Sequence, residues 1–351
     1  MEQPGIQQIL FKCIRNKLPQ HISLSNKIAD LLKISNDSAY RRIRGEKSIS
    51  FDEINLLCTH FSISLDQLFH VNTDSLIFTN IINSGGDCCI SQYLSSILNQ
   101  LKHLNTFEKR ELIYLSRDIP IFNYFICPEL AIFKLFMWQR SLIQTPSHVK
   151  TYFSLNENWD SWLAIGKKIL DEYNKIPSRE IWSTTSINST LKQIDYCVDT
   201  KEFASVHDII SVYNALERAI GHIEKQAESG LRISIGDDLV QKKIGFKFYK
   251  NEKAVGENAF LALVNDRKLV YLNYCTLEII YTDDIFFAER TFKHFQNEMN
   301  KSNLLSETGE LIRIKYFNLM RERIQIGRDS VKNYNSDHHY KTAVNNIDFW
   351  N

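Results

Sequence analysis

Apolar residues recur at helical spacing through most of the chain, and the pattern turns to alternation only from Lys243 onward. Ile6, Ile9, Leu10, Cys13, Ile14 and Leu18 give residues 4–19 one apolar face, which predicts a first helix. Ser23 or Ser25 can cap a second helix bearing Ile28, Ala29, Leu31 and Leu32, and Ser35-Asn36-Asp37 starts a third that runs through Ile43 to Gly45. Phe51-Asp52-Glu53 opens a fourth with Ile54, Leu57, Cys58 and Phe61 on one side, and residues 64–69 form a last short turn. These five elements predict a bundle that closes near residue 72.

Asn83-Ser84-Gly85-Gly86-Asp87 is the best linker signal in the chain, so residues 73–90 are expected to join the bundle to the rest. Amphipathic spacing then predicts helices at 91–104, 106–117, 128–142, 159–173, 187–199 and 205–228, the last stopped by Gly230. Residues 91–230 thus read as one helical layer. Beyond it Ile244, Phe246 and Phe248 alternate with Gly245, Lys247 and Tyr249, and residues 260–264, 269–274 and 276–281 are rich in β-branched and aromatic side chains. A small antiparallel sheet follows from this, with helices near 284–301 and 306–326 completing an α+β region over 231–330 and a polar tail at 331–351. The expected fold class is mainly α: an N-terminal five-helix bundle, a helical region and a small C-terminal α+β part.

Composition changes this picture little. With 44% apolar and 24% charged residues but only 12 Gly and 6 Pro, the 351-residue chain reads as folded and helix-rich. Lys+Arg 42 against Asp+Glu 41 leaves +1, so any surface for nucleic acid must be local. The seven cysteines are scattered without a C-x-x-C, which fits neither a disulfide framework nor a zinc ribbon and points to a reducing cytoplasm. Residues 1–18 lack a charged-then-apolar signal layout, and the most apolar stretch, Ile119 to Trp138, is interrupted by Pro120, Pro128, Glu129 and Lys134, so neither secretion nor a membrane segment is expected. The aromatic density of that stretch could line a ligand pocket or a dimer interface, although ordinary core is the commoner use.

The strongest chemistry lies at residues 25–47. Two helices joined by a short turn can present the second helix to the major groove when the first braces it. Ile28, Ala29, Leu32, Ile34 and Ala39 fall where such helices pack, leaving Ser35, Asn36, Asp37, Tyr40, Arg41 and Arg44 exposed. Arg can contact guanine O6 and N7 with two hydrogen bonds, Asn can do the same for adenine, and Arg42 and Lys47 can neutralise flanking phosphates. Asp37 suits a helix cap or an acceptor from cytosine N4. Residues 35–47 carry Arg41, Arg42, Arg44 and Lys47 against Asp37 and Glu46, a net +2 that dimerisation would double.

Residues 24–69, LSNKIADLLKISNDSAYRRIRGEKSISFDEINLLCTHFSISLDQLF, resemble the phage-repressor-like (XRE-type) helix-turn-helix of bacterial transcriptional regulators, in a subgroup associated with Bacteroidetes-type bacteria. The resemblance implies a five-helix DNA-binding domain that acts as a dimer, with Ser35, Asn36, Tyr40, Arg41 and Arg44 at the DNA. Two positions depart from the pattern: Lys33 stands at the turn position often held by Gly, and polar Arg42 at a late packing position of the recognition helix.

Other motifs weigh little. Ser189-Thr190-Leu191-Lys192 matches S-x-x-K without its partner motifs, and His338-His339 lacks a third spaced ligand for a metal. The phosphate-loop, dinucleotide, serine-hydrolase and zinc-protease signatures do not occur. The sequence therefore leads to a cytoplasmic regulator that binds double-stranded DNA as a homodimer, with no catalytic residues, cofactor or metal. Its C-terminal region would dimerise and sense a small-molecule or protein effector. The alternative is an interaction protein of antitoxin or phage-defence type whose DNA binding is autoregulatory.

Overall fold

The computed structural model describes residues 5–19, 22–61, 63, 65, 76–81, 90–142, 152–234, 243–253, 258–275 and 278–345. The chain divides into two units, Met1–Thr79 and Asn80–Asn351.

The first unit contains α1 (Ile6–Lys17), α2 (Leu24–Leu32), α3 (Asn36–Ile43) and α4 (Phe51–Phe61). Their apolar faces meet in one core of Leu10, Phe11, Ile14, Ile28, Ala29, Ala39, Leu57 and Cys58. Ala29 and Ala39 have no bulk beyond Cβ, which lets α2 and α3 approach closely. The expected fifth element, residues 64–69, lies outside the described residues except for Leu65.

The second unit is built on an eight-stranded sheet. In chain order its elements are β1 (Thr79–Asn80), α5 (Ile90–Asn105), β2 (Arg110–Ser116), α6 (Ile121–Tyr124), α7 (Pro128–Leu142), α8 (Asp160–Tyr173), β3 (Ser178–Trp182), α9 (Asn188–Asp199) and α10 (Val206–Ser229). They continue with β4 (Phe246–Lys250), β5 (Ala259–Val264), β6 (Arg267–Cys275), β7 (Glu278–Thr282), α11 (Ile285–Asn300), β8 (Asn303–Leu304) and α12 (Glu310–Asn345). The strand order is β1-β7-β6-β5-β2-β3-β4-β8. Strands β2, β3 and β4 are parallel, with Leu112 opposite Ser178 and Ser178 opposite Phe246. The β5–β6–β7 meander is antiparallel and joins β2 through β5, and β8 runs antiparallel to β4.

Alternation along the strands gives the sheet two buried faces. Leu112, Tyr114, Trp182, Phe246, Phe248, Phe260 and Tyr271 share the large core with α5 to α10 and α12. Ile113, Leu115, Ile181, Leu261 and Val270 face α11 through Ala288, Phe295 and Met299. Parallel strands covered on both faces need apolar side chains on both, and Leu112-Ile113-Tyr114-Leu115 is such a run.

That burial overturns the expected fold class. The molecule is 58% helical and 16% strand around a mixed eight-stranded sheet, a mixed α/β protein and not a mainly α one with a small C-terminal sheet. The helix expected over 106–117 is a turn followed by β2, because a strand apolar on both faces has no period-2 signature. Residues 91–230 supply the inner strands β2 and β3 and are not a purely helical layer. The segment expected as a polar tail continues α12 to Asn345. Ile119 to Trp138 is core: Phe122, Tyr124, Phe133 and Phe136 are all buried in the second unit. Among the described residues no helix is long and apolar enough to cross a membrane.

Candidate nucleic-acid interface

The turn between α2 and α3 is three residues, Lys33-Ile34-Ser35. Lys33 ends α2 in the left-handed region at φ 52°, ψ 46°, and the Ile34 N–H donates to the Ala29 carbonyl at 3.0 Å, which closes the helix end. Glycine would adopt this conformation at no steric cost, so the lysine carries strain that the surrounding packing overrides. Ser35 then caps α3, its Oγ accepting from the Ser38 N–H at 3.3 Å.

Helical spacing from this start sets which side chains of α3 turn outward. Ala39 and Arg42, three residues apart, lie on the buried side, while Asn36, Asp37, Tyr40 and Arg41 are exposed, as is Arg44 just past the helix end. Tyr40 is 53% exposed although its ring is large and apolar. The Arg44 guanidinium sits 5.7 Å from the centre of that ring and 3.2 Å from Glu46, which also lies 3.9 Å from Arg41. Glu46 thus holds two exposed arginines side by side, in contacts weak enough to exchange for another acceptor.

The loop after α3 is fixed from α1. Gln7 donates through Nε2 to the carbonyls of Arg42 and Lys47, both at 2.7 Å, and accepts the Ile49 N–H at 3.1 Å. Gly45 turns this loop at φ 82°. Lys47 itself is exposed.

Arg42 departs from its expected place at a flanking phosphate. It is 7% exposed, and its guanidinium donates to both carboxylate oxygens of Glu53 on α4, at 2.8 and 3.3 Å, and to the Ser38 carbonyl. The late packing position of α3 is therefore filled by an arginine neutralised from a neighbouring helix. Glu53 also closes the start of α4, accepting from the Ser50 N–H while Ser50 Oγ accepts from the Glu53 N–H. Burial pushes Glu53 upward, but the Ser50 N–H and the Arg42 guanidinium outweigh it and hold the carboxyl below its ordinary value. Ser50-x-x-Glu53 is a readable capping box, but its second role as the partner of Arg42 has no local signal. Gln7 and Glu46 were likewise absent from the expected set.

The second unit buries two polar clusters that sequence reasoning missed. Glu180 on β3 is fully buried and accepts from Arg232, Tyr173, Trp182 and Asn123 at 2.6, 2.6, 2.9 and 3.3 Å. The Arg232 guanidinium lies between the rings of Tyr173 and Phe246, 4.3 and 4.2 Å from their centres. Near the end of β2, Lys134 on α7 is buried with its ammonium 2.6 Å from Gln193 and 3.9 Å from Asp118. Burial lowers its pKa, and the Asp118 carboxylate partly offsets this. The groups in each cluster are satisfied mainly by one another, which is the pattern of a buried structural network.

His338 and His339 fall on α12, and their side chains lie outside the described residues, as do Cys88 and Cys89. Among the described residues no group of three or more His, Cys, Asp or Glu is arranged to hold a metal ion. The chain matches no family model, no curated protein and no solved structure.

Proposed function

We propose that this chain is a sequence-specific DNA-binding regulator of transcription that reads double-stranded DNA with α3. The observation that carries the reading is the outward set Asn36, Tyr40, Arg41 and Arg44 on a helix that follows a three-residue turn and is braced by α1, α2 and α4. In a helix-turn-helix, the N-terminal half and one face of the second helix reach the base edges. Arg41 and Arg44 can each contact guanine with two hydrogen bonds, Asn36 stands at the N-terminal end where adenine can be read, and the Tyr40 ring offers an apolar contact to a thymine methyl. Ser35 and the N-terminal end of α3 suit a phosphate oxygen.

With Arg42 neutralised by Glu53, the exposed charges of residues 35–47 are Arg41, Arg44 and Lys47 against Asp37 and Glu46. The excess is small, so affinity at physiological salt calls for two copies on two half-sites about one helical turn apart. The second unit would hold the copies at that spacing, and an effector that favours one spacing would act by shifting populations.

Selection of random duplex DNA on the full-length protein at fixed salt tests this reading. A palindrome should be enriched, and Arg41→Ala/Arg44→Ala should abolish the enrichment while leaving weak salt-sensitive binding. Weak binding that ignores both alanines, with nothing enriched, would sink it.

A further inference from the structure

α12 buries one face and carries exposed apolar side chains among charged ones on the other. Arg313, Tyr316, Phe317, Met320, Ile324 and Val331 turn inward against α10 and the sheet. On the outer side, Ile312, Lys315, Leu319, Glu322 and Ile326 follow each other at alternating steps of three and four, the spacing of a coiled-coil seam, with Leu311 beside the first. Leu311, Ile312, Leu319 and Ile326 are between 37% and 66% exposed. Single exposed apolar residues are ordinary on a protein surface, but three spaced seven residues apart along one line of a helix, with Leu311 beside the first, are an interaction signal.

We propose that this seam pairs with the same seam of a second copy of the chain, the two helices running antiparallel across a twofold axis near Leu319. Charge selects the orientation. A parallel pair would set Lys315 beside Lys315 and Glu322 beside Glu322, which is repulsive at both levels. An antiparallel pair centred between residues 318 and 319 sets Lys315 of each copy beside Glu322 of the other, twice by symmetry. The same register brings Leu319 against Leu319 and the Leu311–Ile312 end against Ile326. This is the self-complementarity that an isologous twofold contact requires. The neighbouring cations are committed inward: Arg321 to Glu224, Arg323 to the Thr184 carbonyl and Asn188, and Arg328 to Glu217. Lys315 and Glu322 are therefore the charges that meet across the seam.

From Ile312 to Ile326 the seam is about 21 Å long at 1.5 Å per residue. A contact of that length falls at the low end of interface sizes, so the free dimer should dissociate at about micromolar concentration. Two half-sites on one duplex would tighten it by effective concentration. The purpose of the dimer rests on the DNA-binding reading, but its geometry does not.

Sedimentation equilibrium of the full-length protein without DNA, from about 1 to 100 μM, tests the proposal in the range expected for so small a contact. The wild-type chain should show a monomer–dimer equilibrium. Leu319→Glu should raise the dissociation constant at least tenfold, as expected for a central interface residue, with an unchanged melting temperature at concentrations where the wild-type chain is monomeric, because Leu319 lies outside the core. Lys315→Glu should weaken the dimer, and adding Glu322→Lys should restore it by reversing the pair. A monomer throughout the range, a dimer indifferent to Leu319→Glu, or a double charge reversal that fails to restore association would each overturn the proposal. A monomer that still selects a single half-site in the DNA experiment would leave the DNA-binding reading standing and remove this one.

Discussion

Glu53 and Arg42 form a pair whose worth depends on pH. The carboxyl titrates below its ordinary value of 4.5 in the folded protein, so the pair stabilises fully above that value and the contribution is lost as pH falls through the lowered folded value. Glu53→Gln removes the charge and strands a nearly buried guanidinium, at a cost of about 2 kcal/mol, below the range for fully buried pairs because Glu53 keeps some solvent contact. Melting followed by circular dichroism should show the loss in full near pH 7. It should shrink as pH falls below 4.5 toward the lowered folded value, where the wild-type carboxyl is itself becoming protonated. A cost that is constant with pH would mean that the carboxyl's role is steric. The exposed side chains of α3 were legible because helical spacing alone separates positions 36, 40, 41 and 44 from position 39. Arg42 was not, because a basic side chain at a packing position reads as surface until its acid is found, here eleven residues on and in another helix.

At the level of elements, amphipathic spacing placed the helices, and chemical signals at the ends sharpened the bounds of some. Ser35 caps α3, Ser205 Oγ accepts from the Asp208 N–H at the start of α10, Gly230 ends α10 at φ 67°, and Asp284 caps α11. Strands β2 and β3 had no such marks. β2 is apolar on both faces, and β3 is five residues long with Arg179 and Glu180 in its middle, neutralised by Glu111 and Arg232 from elsewhere in the unit. Their pairing is long-range and parallel, and nothing local announces it. The meander was legible because β5, β6 and β7 follow one another in sequence and pair with their neighbours. Lys33 supplies the test at this scale. Its left-handed backbone costs about 1–2 kcal/mol in a non-glycine residue, of which glycine would return a part after its own entropic cost of about 0.5–1 kcal/mol. Lys33→Gly should therefore raise stability by about 0.5 kcal/mol, read as a higher denaturation midpoint at unchanged slope. A fall in the midpoint would show that the lysine side chain contributes more than its strained backbone loses.

Across the whole molecule, the cores divide with the units. The buried residues of the first core end at Ile63, and those of the two cores around the sheet begin at Ile90. Each unit also holds an ion pair on a buried arginine, half-buried Glu53 with Arg42 in the first and fully buried Glu180 with Arg232 in the second. Cooperative unfolding follows shared apolar burial, and among the described residues each buried apolar side chain belongs to the core of one unit, so the units should unfold in separate transitions. The two ion pairs label them. Glu53→Gln should move only the transition of the first unit. Arg232→Ala, which leaves the fully buried Glu180 carboxyl without its cation, should lower only that of the second, by about 3–5 kcal/mol. Scanning calorimetry of the full-length protein and the two variants makes the comparison directly. If both substitutions move one common transition, the units are a single cooperative body, and α3 would then be coupled to the stability of the sheet. If they move different ones, a change in the second unit does not reach α3 through a shared core. On the proposed DNA-binding reading, that outcome favours regulation through half-site spacing, because α3 then keeps its own core whatever the second unit does.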